Sequence, residues 1–352
     1  MESTEMHLND SGLAKLLNEI EKFPSSLNES TMLYNFNKLL VILQEKELVG
    51  LVKDKDMISL AHNLSHKFNS ISQKINRKST GNAQILALYK KAQNEIENKL
   101  SGPLYIFATQ WGLSVLALYY YKNGNYNNAI NKSLECIILS EQLIRTGIST
   151  LLFRAAEQNK NIMRVLFRSS DWKIAANFAH DFLKYLFNGN CKLQNGKIFF
   201  EKKYWNQNVY VREGYSYECF RSIVSLTIRL EKRSDVKSKE LFMIIFSDLC
   251  FEVNNSDREI IFQWLQLKRL FYSGEHGKFE KEFVEFMKIP ISKIYDILKI
   301  SLILDAQKIF IDPDFPQHGE RVKNRLTRFM FEELDAEFYL NTDLSTRNLV
   351  KQ

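Results

Sequence analysis

The chain has 352 residues, 45% of them apolar and 25% charged, with 48 Lys+Arg against 41 Asp+Glu and a net charge of +7. Such a balance excludes a disordered tail and a dedicated polycation. Five prolines and thirteen glycines exclude collagen-like, linker-rich and turn-dense all-β chains.

Met1 to Ala14 is polar and acidic (Glu2, Glu5, Asp10) and holds no apolar core of a secretory signal. Cys136, Cys191, Cys219 and Cys250 are widely and irregularly spaced, which suits neither a zinc knuckle nor a redox pair. A reduced, cytoplasmic chain without cofactor or metal is therefore expected.

Helical periodicity starts at Ser11–Phe23, where Leu13, Leu16, Leu17 and Ile20 share one face, and Pro24 ends it. Amphipathic helices are predicted over Thr31–Leu48, Met57–Ile75 and Ala83–Leu100. From Leu100 to Tyr121 no side chain is charged, and the stretch has the ~20 residues a bilayer span requires. Thr109, Gln110, Ser114 and three consecutive tyrosines oppose that reading, and Pro103 after Ser101-Gly102 is a first-turn signal. This segment is expected to be a buried central helix, with no membrane span.

Asn188-Gly189-Asn190 reads as a helix stop and Asn195-Gly196 as a turn dipeptide, predicting a short β-hairpin or ordered loop near 192–211. Helices follow over Glu213–Leu230, Lys237–Val253, Arg258–Tyr272, Phe279–Met287, Ser292–Ile309 and Gln317–Phe338. These breaks divide the chain into an N-terminal helical arm (1–100), a region of helical repeats (101–190), an irregular linker or hairpin (191–211) and C-terminal helical repeats (212–352). About fourteen helices on short links favour antiparallel neighbours, an all-α chain.

The clearest repeat is Tyr120-Tyr121-Lys122-Asn123-Gly124-Asn125-Tyr126-Asn127-Asn128-Ala129-Ile130. Leu116, Ala117 and Tyr120 suit a first helix, Gly124 and Tyr126 the turn, and Ala129 a close approach of the second helix. A second copy, 46 residues on, places Ile162, Met163, Leu166, Trp172, Ala175 and Ala179 at matching positions, with Ser170-Asp171 in the turn. A third echo is Gly277-Lys278-Phe279, with Glu282 in the slot that should be small. The pattern resembles the tetratricopeptide repeat (TPR), although its period exceeds that family's 34 residues and Ser133 and Ala179 replace a bulky residue. The resemblance implies an α-solenoid of antiparallel helical hairpins, a non-catalytic scaffold or adaptor whose concave face binds a protein or peptide.

Charge refines that expectation. Residues 101–200 hold 11 basic and 5 acidic side chains, nearly the whole excess of the chain. Arg154, Lys160, Asn161, Arg164 and Arg168, with Gln158 beside them, fall on the first helix of the second copy. First helices line the concave face in proteins of this kind, so an acidic partner is the expected ligand class. Nucleic acid is a less favoured partner, because the aromatics near the basic block (Tyr185, Phe187, Trp205, Tyr210) lie at core spacing where they fall in helices.

No phosphate loop, Gly-x-Ser-x-Gly elbow or His-Glu-x-x-His motif is present. His62 and His66 have the spacing of a helical metal pair but no third ligand. Glu201-Lys202-Lys203 has the order of a nuclease motif without the upstream Asp. Arg269 and His276, separated by six residues, resemble the motif of the all-helical HEPN ribonucleases, although Leu270 stands where those enzymes place a polar residue. That resemblance implies an alternative in which Arg269 steadies phosphate and His276 moves a proton.

Overall fold

In a computed structural model of the chain, the described residues are 10–25, 32–77, 80–169, 172–188, 209–231, 238–309, 316–334 and 336. Among them the fold is all-α, with fourteen α-helices, two 3-10 turns and no strand. The predicted hairpin near 192–211 falls mainly outside the described residues. The part inside them, from residue 209, is helical.

Two compact units divide the helices. The first contains α2 (Met32–Leu51), α3 (Lys55–Arg77), α4 (Asn82–Lys99), α5 (Gly102–Lys122), α6 (Tyr126–Arg145), α7 (Leu152–Leu166), α8 (Trp172–Asn188) and the start of α9 (Val209–Glu231), through Cys219. The second takes α9 from Phe220 and adds α1 (Asp10–Ile20), α10 (Ser238–Phe246), α11 (Ser256–Ser273), α12 (His276–Lys288), α13 (Asp296–Ile309) and α14 (Pro316–Glu332).

Within the first unit most helices pack on their sequence neighbours, and α5 also packs on α3. The charge-free stretch is α5. It buries Leu104, Phe107, Ala108, Leu113, Val115 and Ala117, and no helix of the described residues is long and apolar enough to cross a membrane. Its polar exceptions are paired only in part: Thr109 Oγ1 and Gln110 Nε2 are buried without a hydrogen-bond partner among the described residues, while Ser114 and the Gln110 oxygens are bonded. Gln110 is fully buried, accepts from Ser140 Oγ at 2.8 Å through Oε1, and offers its carbonyl to Ser114 Oγ at 3.0 Å and Cys136 Sγ at 3.3 Å. Low-dielectric surroundings make such bonds valuable where unpaired groups would be costly. Glu47 of α2 ties down the α6–α7 connection, accepting from Ser149 Oγ at 2.6 Å and from the backbone N–H of Thr150 at 3.0 Å.

The α5–α6 turn follows from its sequence. Gly124 adopts φ +75°, a left-handed value suited to glycine. The N–H of Asn125 returns to the carbonyl of Tyr120 at 2.9 Å, and that of Gly124 to Tyr121 at 3.2 Å, the paired closure of a Schellman end. Asn125 then caps α6 by accepting from the N–H of Asn128 at 3.3 Å. Ala129, fully buried one turn later, is small where α6 meets α5.

The α11–α12 hairpin repeats this turn. Gly274 has φ +84°, the N–H of Glu275 reaches the carbonyl of Leu270 at 3.0 Å, and Gly274 bonds Phe271 at 3.3 Å. Gly274 is thus the counterpart of Gly124, which sets the third echo in a different register from the sequence alignment. His276 takes the place of Tyr126, and Phe279, fully buried, takes that of Ala129 rather than Tyr126. The alignment of Gly277 with Gly124 is thereby corrected, since Gly277 lies inside α12.

In the second unit α1 packs on α12 and α14. Glu19 lies between Lys22 (2.8 Å) and Lys288 (2.6 Å), which hold its carboxyl down at about 2. The Phe23 ring meets Phe283 and Phe329 edge-on at 6.2 and 5.5 Å. Fully buried Lys299 donates to the carbonyls of Met287 (3.0 Å) and Ile289 (2.8 Å), closing the end of α12. Burial lowers its ammonium to about 8, against the opposing influence of Asp296.

Burial also shapes the alkaline limit of the first unit. The Cys219 thiol, fully enclosed, is pushed up to about 12 by desolvation from an ordinary 9.0. Its folded value lies above the unfolded one, so its contribution is complete below pH 9 and is lost as pH rises from 9 towards 12. By pH 10 the loss from this group is on the order of 1 kcal/mol. Urea unfolding between pH 8 and 10.5 should show a falling midpoint, and Cys219→Ala should flatten that slope while lowering stability at pH 8. An unchanged slope would place the alkaline sensitivity elsewhere.

Candidate functional site

A cavity of about 310 Å³ lies within the first unit, lined from α3, α5, α6 and α7. Its size is at the lower end of ligand sites, which run ~300–1,000 Å³. The α7 wall comprises Arg154, Glu157, Gln158, Asn161, Arg164 and Val165, a stripe at the three- and four-residue spacing of one helix face. Trp111, Ser114 and Tyr121 of α5 contribute, as do Asn69, Ser72 and Asn76 of α3.

Ser114 organises the inner wall. Its hydroxyl donates to the Gln110 carbonyl and accepts from Arg154 Nη2 at 2.8 Å and Gln158 Nε2 at 3.1 Å. Arg154 is 4% exposed. Its guanidinium stacks over the Trp111 ring, 3.8 Å from the centroid, and pairs with Glu157. A delocalised, weakly hydrated cation suits this combination of aromatic face and carboxylate better than an ammonium would. Along the stripe, Asn161 Nδ2 donates to Gln158 Oε1 at 3.5 Å, and Arg164 Nη1 donates to Asn161 Oδ1 at 3.4 Å. These are long, weak contacts, and no ion pair engages Arg164 among the described residues. Arg154 Nε, Trp111 Nε1 and Ser133 Oγ are buried with no hydrogen-bond partner among the described residues, and their residues all line the cavity.

The structure therefore sorts the five residues of the predicted basic face. Arg154, Asn161 and Arg164 meet at the cavity, with Arg154 already neutralised by Glu157. Lys160 lies outside the lining; it pairs with Glu218 at 3.1 Å and sits 5.3 Å from the Tyr215 ring centroid. Arg168 lies beyond the end of α7, exposed and outside the lining. The repeat positions are mostly packing residues: Ala117, Ala129, Ile162 and Ala175 are buried, while Leu116, Tyr120, Tyr126, Leu166 and Trp172 are half-buried. The turn predicted at Ser170-Asp171 lies outside the described residues.

The sequence reading missed the α3 and α5 walls. Ser114 stood out as a polar interruption of an apolar helix, which is the signal that could have marked it. Asn69, Ser72 and Asn76 are polar residues on a polar helix face, and only tertiary packing distinguishes them.

Other candidate chemistry is dispersed. Arg269 Nη2 donates to the Ser247 carbonyl at 3.2 Å, while the His276 ring lies 6.2 Å from that of Phe271. No hydrogen bond or ion pair joins Arg269 to His276. His62 is half-buried against Phe107, with ring centroids 5.3 Å apart, and burial lowers its basicity. No group of three or more His, Cys, Asp or Glu side chains fit to hold a metal occurs among the described residues. Glu201-Lys202-Lys203 and Trp205 lie outside the described residues. Tyr185 and Phe187 are each 3% exposed, closed to stacking with bases.

No protein-family model, curated protein or solved structure matches the chain.

Proposed function

We propose that the chain is a non-catalytic, TPR-like helical-repeat scaffold that docks a partner protein or peptide, with the α3/α5/α6/α7 cavity receiving an acidic side chain. The single observation carrying this reading is that the cavity gathers Arg164, Asn161 and Gln158 on one helical stripe, with Trp111 and Tyr121 in the same lining. Two hairpins sharing the same glycine turn support the repeat architecture, and stacked helical hairpins build extended binding faces. The pairing of Arg269 with the Ser247 carbonyl gives the ribonuclease alternative less support.

The test is binding of an acidic peptide array to the full chain. Arg164→Glu is expected to weaken recognition at least tenfold, because a charge-assisted hydrogen bond contributes ~1.5–3 kcal/mol and tenfold is ~1.4 kcal/mol. Arg168→Glu, outside the cavity, is expected to change it less than about threefold, the scale of a solvent-screened surface charge. Equal losses in the two variants would move the site out of the cavity. RNA degradation by the purified protein, abolished in His276→Ala, would overturn the non-catalytic reading.

A further inference from the structure

The charged residues lining the cavity are Arg154, Arg164 and Glu157, a formal net charge of +1. Glu157 already answers Arg154, which leaves one guanidinium, that of Arg164, for a ligand. The remaining polar lining is neutral: amides from Asn69, Asn76, Gln158 and Asn161, and hydroxyls from Ser72, Ser114 and Ser133. Beside these donors lies an apolar wall of Trp111, Val115, Leu118, Tyr121 and Val165.

We infer that the cavity selects a single carboxylate side chain accompanied by a large apolar neighbour, and discriminates against a phosphorylated side chain. This rests on the docking reading above and specifies its ligand. A carboxylate carries one negative charge, which Arg164 balances while neutral amides satisfy the remaining lone pairs. A phosphoserine carries about −1.5 to −2 at pH 7. It would bring a second charge for which the lining holds no second unpaired cation, and it would approach the carboxylate of Glu157. The apolar wall gives the neighbouring side chain a surface to cover, and it offers nothing to a bare anion.

The experiment measures binding of blocked peptide pools (N-acetylated, C-amidated, flanks randomised) to the full chain by calorimetry. The central pairs are Phe-Glu, Phe-Gln, Ala-Glu and Phe-phosphoserine. Free 3-phenylpropionate is included as the small-molecule source of the same chemistry. The expected result is binding of the Phe-Glu pool at least tenfold tighter than the Phe-Gln and Ala-Glu pools, and tighter than the phosphoserine pool. Arg164→Gln should erase the Glu-over-Gln preference, with the variant's fold checked by circular dichroism. Phosphoserine binding more tightly than Glu, with both lost in Arg164→Gln, would overturn this specificity and leave the docking reading standing. Binding of 3-phenylpropionate without any peptide binding would overturn the docking reading and make the cavity a small-molecule site. Absence of binding by every probe would overturn both.

Discussion

Replacing Trp264 with alanine should destabilise the second unit by about 3–5 kcal/mol, the range for deleting a large aromatic from a packed core. Trp264 is 1% exposed, and its indole meets the rings of Phe220, Phe242 and Phe246 edge-on at 5.3, 6.4 and 5.3 Å. Its N–H donates to Ser301 Oγ at 3.2 Å, so the residue links α11 to α13 as well as filling space. Alanine would leave three phenyl rings without a partner on one side and a buried hydroxyl without its donor. Trp264→Phe separates these effects, because it keeps much of the ring packing and loses the hydrogen bond, worth ~1 kcal/mol. Urea denaturation followed by far-ultraviolet circular dichroism reads both variants. A loss below 1 kcal/mol for the alanine variant would contradict the packing described.

Arg154→Ala should destabilise the first unit by about 3 kcal/mol, the lower end of the ~3–5 kcal/mol for removing one partner of a buried ion pair. The lower end applies because the Glu157 side chain keeps 32% of its exposure, against 5% for Arg154. Three interactions disappear together: the pair with Glu157, the bond to Ser114 and the stack on Trp111. Arg154→Lys preserves charge but not the flat, forked cation, so most of the loss should remain. The double variant Arg154→Met, Glu157→Gln should recover a large part of it, since no unpaired charge is then left in the cavity wall. If the double variant were no more stable than Arg154→Ala, the loss would belong to packing rather than to the stranded carboxylate.

These two residues show how far the sequence could be followed. Trp264 lies in the helix predicted over Arg258–Tyr272, but its burial is a finding of the structure. Arg154 was legible as a basic residue on a helix near other basic residues, which suggested a cation on a ligand-binding face. Burial reverses that meaning: the guanidinium is part of the wall, and Arg164 is the cation left for a ligand. The same limit applies at Gly274. The Gly-x-Phe pattern points to Gly277, but backbone geometry places the left-handed turn three residues earlier, at Gly274, where hydrogen bonds close the end of α11. Similarly, α1 reads as the start of an N-terminal arm, yet it packs with α12 and α14, through Phe23 and the Glu19–Lys288 pair.

By itself the sequence determined the helical character of this protein, many of its helix positions, the glycine turn after α5 and the burial of the charge-free helix. Those properties depend on residues a few positions apart, where the 3.6-residue period, scarce proline and left-handed glycine act locally. Only the tertiary structure decided which helices keep company, which arginine is neutralised, and which polar side chains of α3 face a cavity. Those properties depend on residues brought together from 30 positions apart, as Gln110 and Ser140 are, to about 300, as Phe23 and Phe329 are, by burial of apolar faces, a force that is non-directional and leaves no mark on local spacing. The opening excess of +7 consequently narrows, at the cavity, to one guanidinium on α7.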